Sequence, residues 1–431
     1  MKRPAMLLFV PILAIGCQAT GDPPIAHQTE ASSAGRLPSP RVLLSPAKVW
    51  TKPAQQARAK EVEAYLLANR YAGFRIMDTV QSAHGTVIDF VDARTVGAVA
   101  TDAPPPPKNA PNADNQAKSE TEESPELRGP AGTIPFVRPD FGRYVAGDSG
   151  YDSIESFVKN QAHGRTDGMN RLYGGYKFMS YNAGVFGTTT AFSADAVESG
   201  TFTLMEMATA CPQDPSTEIV GVMFSRDLAN FSDQQLRMHV EFYTQWNGGD
   251  GGFDEVIPNQ FVPYSGRSFA PGVVFGPSTV VGSGPHYETS FQIQQYQGNW
   301  WVWVGGTWLG YYPGSHFSPT GLAQTGCRIG WYGEVFDPTW NSWTRDSMGN
   351  GTWAWADWTG YAAYWRNFQF LTPDQTTWAY PAQSSMFLSP ASDANCYTTS
   401  AVTWVNGAMY PPGYYPIFYL GGPGAKNAAC R

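Results

Sequence analysis

Charged side chains make up only 15% of this 431-residue chain. Set against 14% aromatic residues, 45 Gly and 34 Pro, that shortage disfavours a helical protein and suits an all-β one with many turns. Basic residues are not in excess: 28 Lys and Arg face 36 Asp and Glu, a formal net charge of -8. The basic footprint of a nucleic-acid partner is therefore missing. No Cys-x-x-Cys and no His-Glu-x-x-His spacing occurs, so nothing argues for zinc, and no metal or other cofactor is expected. What remains is chain enough for one large domain or two to three small ones.

The first 17 residues, MKRPAMLLFVPILAIGC, place Lys2 and Arg3 before an apolar run too short to span a membrane, the pattern of an export signal. The run Leu13-Ala14-Ile15-Gly16 before Cys17 resembles a bacterial lipoprotein signal. That implies a lipidated Cys17 and an outer-membrane or, after processing, extracellular location; an ordinary cleaved signal is the alternative, and either one exports the chain. Four further cysteines are an even number in an oxidising compartment, which favours two disulfides over metal ligation. Residues 18–44 read as a flexible tether. Residues 45–100 read as a small α+β unit, with a helix capped at Ser45 and stopped at Gly73, then two strands joined at His84-Gly85. Residues 101–131 have almost no apolar side chains and read as a disordered linker. From Gly132 onward short apolar or aromatic runs alternate with Gly, Pro, Asn and Asp turns, which asks for an antiparallel β-sandwich or jelly roll.

One stretch of this region, GWYGEVFD, sets Glu334 among apolar and aromatic neighbours. Burying an ionised carboxylate costs several kcal/mol unless it is paired, hydrogen-bonded or protonated. In PSTEIVGVMF, Glu218 shares a strand face with Val220 and Val222 and is the only acid of that stretch. Two such glutamates suggest a dyad brought together across one sheet, since neighbouring carboxyls split their titration and leave one acid and one base. A solvated Glu on a half-exposed strand is the plain alternative. The echo of a serine protease in GDSG (147–150) and SAHG (82–85) fails, because too few residues separate the two for that fold. In NWWVWVGGTWLGYYP most of the Trp read as core, with one or two open to a cleft. Trp301, Trp331, Tyr332 and Gly349 are candidate substrate-binding residues.

From about Gly132 the ordered series GTIPFVRPDF, GTFTLMEM, STEIVGVMF, GNWWVWVGGTWLGYYPGSHF, WYGEV, SMGNG, AAYWRNFQF and YLGGPG resembles the neprosin family of secreted glutamic peptidases. GTFTLMEM stands where that family has a Ser-Leu-Ser-Gln strand. The resemblance implies a concanavalin-like sandwich with the catalytic glutamates, Glu218 and Glu334, on a concave face, and cleavage after proline. It implies a bridge near the C-terminus, Cys396 with Cys430, which leaves Cys211 with Cys327. It also implies that 45–100 is an activation peptide, through Ser82, Gly85, Ile88 and Asp89. The reading is a zymogen whose Glu pair activates water at acid pH, acting on protein or peptide substrates as a monomer, and touching a membrane only through a lipid at Cys17. A jelly-roll glycoside hydrolase and a non-catalytic carbohydrate-binding lipoprotein stay open beside it.

Overall fold

The computed structural model describes residues 50–82, 86–105, 129–163, 171–193, 197–213, 216–228, 230–231, 233–244, 246, 250–255, 260–276, 278–281, 286–337, 346–357, 360–389, 394–404, 415–424 and 430. The export signal with Cys17, the tether, Ser45, the His84-Gly85 turn and linker residues 106–128 lie outside them. Elements are numbered in chain order.

Two sheets face each other, and every strand pairing within them is antiparallel. The seven-stranded sheet runs β17 (Met386–Ser389), β4 (Arg171–Asn182), β14 (Gly326–Phe336), β6 (Phe202–Gln213), β7 (Ser216–Asp227), β8 (Arg237–Thr244), β9 (Asp250–Phe253). The nine-stranded sheet runs β10 (Val262–Pro263), β13 (Thr307–Pro313), β12 (Asn299–Val304), β11 (Glu288–Tyr296), β5 (Gly184–Thr190), β15 (Ala363–Leu371), β19 (Ile417–Gly421), β18 (Thr398–Thr399), with β16 (Trp378–Ala379) on β15. Alternate residues of both sheets, among them Val220, Val222, Trp331 and Val335 from one and Phe291, Ile293, Trp300 and Trp365 from the other, fill the core between them. The β12–β13 hairpin turns at Gly305-Gly306 with φ of 53° and 112°, a pair of left-handed positions that glycine takes without strain. The expected all-β sandwich is present, and so are both expected bridges, Cys211–Cys327 and Cys396–Cys430.

The small unit departs from the expectation in two ways. Its helix α1 (Pro53–Ala68) begins at Pro53, whose fixed φ and missing N–H suit the first helical turn. It is also built from both sides of the linker. Strands β1 (Ile76–Gln81) and β2 (Val87–Asp92) form a sheet with β3 (Thr133–Val137), which the sequence assigned to the opening of the catalytic domain. The cause is apolar complementarity: Ile134 and Phe136 of β3 are buried with Val91 of β2. Helices α2 (Gly142–Ala146) and α3 (Ile154–His163) complete the unit, Tyr144, Phe157 and Val158 packing on Val62 and Leu66 of α1. Helix α3 also rests on β8 and β9.

One buried acid makes the fold pH-sensitive. Asp346, 2% exposed, accepts from the Glu198 N–H at 3.0 Å, while burial, the largest cause, pushes its carboxyl up to about 6. A folded-state value above the ordinary 3.8 means that the folded chain holds the proton better, so stability falls as pH rises from about 4 to about 6. The loss is on the order of 3 kcal/mol. Asp346→Asn keeps the acceptor for Glu198 and has no charge to bury. Its melting temperature should exceed that of the parent at pH 7, and the gap should close by pH 4 in a calorimetric series.

Candidate active site

In β14, Trp331, Gly333 and Val335 point into the core, so Tyr332 and Glu334 point to the opposite face of the seven-stranded sheet. Across the pairing of β14 with β6, Tyr332 stands opposite Glu206, and Glu334 stands opposite Leu204 on the same face. Glu334 and Glu206 are thus diagonal neighbours on adjacent strands, a placement roughly 7–8 Å between backbones that lets two glutamate side chains reach one water. Both are buried, at 2% and 1% exposure.

Arg171 of β4 pairs with Glu334, its Nη1 lying 2.5 Å from Oε1, and its guanidinium sits against the rings of Phe202 and Phe336. A buried cation at that distance favours the ionised form of Glu334. The Tyr332 hydroxyl is held well above its ordinary titration range, first by burial and then by the charges of Glu206, Glu334 and Glu241. It stays a protonated donor, and its hydrogen-bond partner is Glu206. Tyr173, edge-on to Tyr332 at 6.0 Å, is raised likewise by burial and by Glu334.

Beside this group the floor is made of small residues: Gly330, Ala208 and Gly221 stand in one row across β14, β6 and β7, with Glu241 of β8 at its end. A Cβ on Gly221 would lie 2.3 Å from Glu206 Oε1, so glycine there is what gives the Glu206 carboxyl its position. Lys177 and Glu241, which flank this row, and Tyr243 of the next row are exposed or partly exposed, which opens this side to solvent. The arrangement can hold a water between an ionised and a hydrogen-bonded carboxyl. Among the described residues no group of three His, Cys, Asp or Glu is placed to hold a metal ion.

Glu218 does not join Glu334. It lies on the core face of β7, opposite Cys211, where Oε1 accepts from the Ser318 N–H at 2.6 Å and the Thr244 hydroxyl at 3.1 Å, and Oε2 from the Leu322 N–H at 2.8 Å. Its carboxylate fastens the loop after β13. Ile219, one position on, is the residue of that strand segment that shares the face of Glu334. The carboxyl that the sequence reading missed is Glu206, and its signal was in GTFTLMEM, an acid among apolar residues. Of the substrate-binding candidates only Tyr332 is on this face. Trp331 is wholly buried in the core and donates to the Phe186 carbonyl, Gly349 packs against Ala363, and Trp301 belongs to the other sheet.

Crystal structures of scytalido-glutamic peptidase, one with a peptide-based transition state analog and one with a transition state analog inhibitor, align with TM-scores of 0.32 and 0.31. Identities are 10% and 11%, over 58% and 59% of this chain and 98% of each of those. The assignment rests instead on a family model for neprosin, which matches residues 201–423. That match spans strands β6 to β19 and holds Glu206, Tyr332 and Glu334, more than half of the sequence: the chain belongs to the neprosin family of glutamic peptidases.

Proposed function

We propose that the protein is an exported endopeptidase that cuts after proline, with Glu334 and Glu206 as its catalytic pair. The observation that carries this reading is the pair itself: two buried carboxyls on adjacent strands, one against a guanidinium and the other against a tyrosine hydroxyl. Ionised Glu334 takes a proton from a bound water, whose oxygen attacks the scissile carbonyl. Protonated Glu206 polarises that carbonyl and then gives its proton to the leaving amine. Tyr332 orients Glu206 throughout. Because Glu206 must hold a proton, activity belongs to acid pH. Incubation with a proline-rich protein at pH 4 and pH 7, with peptide ends mapped by mass spectrometry, tests both parts. Ends scattered without regard to proline would remove the specificity, and no cleavage at either pH would remove the activity.

The zymogen reading now takes a two-sided form. A cut within the linker would leave the N-terminal piece held by β2–β3 pairing and by a fully buried ion pair across the cut. Arg138 binds Asp89 through Nε and Nη2, each at 2.6 Å, and the Tyr71 hydroxyl adds a bond at 2.9 Å. Arg70 of the same piece donates to the Val137 carbonyl at 2.7 Å. Removing one partner of a buried ion pair costs about 3–5 kcal/mol. Asp89→Asn should therefore let the N-terminal piece leave nicked protein at neutral pH, where the parent should keep it bound. Gel filtration of the two nicked chains reads the difference, and co-elution of the Asp89→Asn pieces at pH 7 would show that this pair does not hold them. In this reading a lipid at Cys17 tethers the precursor to a membrane, and the catalytic part comes free only when the cut N-terminal piece also lets go. Mass analysis of the N-terminal fragment tests the lipid.

A further inference from the structure

The outer face of the nine-stranded sheet, on the side of β12 away from the core, carries a second constellation. Trp301 and Trp303 alternate there with the core residues Trp300 and Val302, and with Trp308 of β13 they form a buried aromatic cluster. Its rings meet at angles: Trp301 lies 5.9 Å from Trp308 at 81° and 5.0 Å from Tyr311 at 49°. The indole N–H groups of Trp301 and Trp308 are buried and have no acceptor among the described residues. A buried donor left unpaired is destabilising, which a structural core would be expected to avoid.

The segment that covers this cluster is the beginning of the proline run. Ala100 pairs in parallel with Tyr264, its N–H donating to the Pro263 carbonyl at 2.9 Å, and its carbonyl accepts from the Ser265 N–H at 2.9 Å. Gln297 then holds Asp102 at 3.1 Å, Ala103 packs on the cluster and Pro104 is buried. Proline-rich chains are pre-set in an extended helix with exposed carbonyls and apolar rings, and grooves lined by aromatic residues with free donors recognise them. We propose that this aromatic face is a binding site for proline-rich extended peptide, occupied in the precursor by residues 100–105. As an exosite that delivers proline-rich substrates it rests on the peptidase reading; as a binding site it uses neither Glu206 nor Glu334.

The test uses the full chain carrying Glu334→Gln, so that the probe is not hydrolysed, with and without Pro104→Asp to unseat the covering segment. The probe is a synthetic decaproline peptide, followed by tryptophan fluorescence, with a Gly-Ser peptide of equal length as control. Decaproline should bind the Pro104→Asp chain at least tenfold more tightly than its parent, because the site is no longer filled in cis. Trp308→Phe, added to remove one N–H while keeping an aromatic ring, should weaken that binding several-fold. Equal affinity with and without Pro104→Asp, equal binding of the Gly-Ser peptide, or indifference to Trp308→Phe would each overturn the proposal. If Pro104→Asp does not fold, decaproline added to the parent should displace the segment and speed tryptic cleavage at Lys108. An unchanged rate would then count against the site. Failure of binding leaves cleavage of short proline peptides untouched, whereas failure of the peptidase reading leaves binding untouched.

Discussion

A chain in which Glu334 is replaced by glutamine is expected to fold as the parent does and to hydrolyse peptides about 10²–10⁴-fold more slowly. Glutamine keeps the volume and can still meet Arg171, but it cannot take a proton from water. Glu206→Gln should show a loss of similar size, since the amide can polarise a carbonyl only weakly and has no proton to hand to the leaving amine. The two losses should not add: once either member of a unit that acts together is gone, removing the other changes little. Steady-state kinetics on both single variants and the double variant, with folding checked by near-ultraviolet circular dichroism, decide this. A Glu206→Gln enzyme with near-parental turnover would separate Glu206 from the chemistry.

Glu218 is expected to behave in the opposite way. Its carboxylate accepts two backbone N–H groups and one hydroxyl, and Glu218→Ala leaves those donors buried without an acceptor. Each such loss costs about 1–3 kcal/mol, so the variant should lose several kcal/mol of stability. Turnover per folded molecule should stay close to that of the parent, because Glu218 lies on the far side of the sheet from Glu334. Urea denaturation and turnover normalised to folded protein measure the two effects independently. A stable, folded and inactive Glu218→Ala chain would return Glu218 to the catalytic site.

The contrast between Glu218 and Glu206 shows where sequence patterning stops. Side chains alternate between the faces of a strand, so a one-residue shift in reading moves a residue to the other side of the sheet. That alternation is informative when one face is wet, but both faces of this sheet are buried around β6, β7 and β14. Leu204, Met205, Met207 and Met223 are all 0% exposed although they divide between the two faces. An acid among apolar residues therefore looks alike on either side. The same blindness put Trp301 near the site.

By itself the sequence determined the all-β class, through its aromatic, glycine and proline content and its short alternating runs. It determined the family, through an ordered set of segments, and it marked Glu334, because a carboxylate in a buried strand needs a partner. Local chemistry suffices for such features. Only the tertiary structure decided that Glu206 shares a sheet face with Glu334, that Arg171 pairs with Glu334 and Tyr332 with Glu206, and that residues 133–137 close a sheet across the linker. Those relations depend on register between strands far apart in the chain, and register is settled by packing on both faces at once.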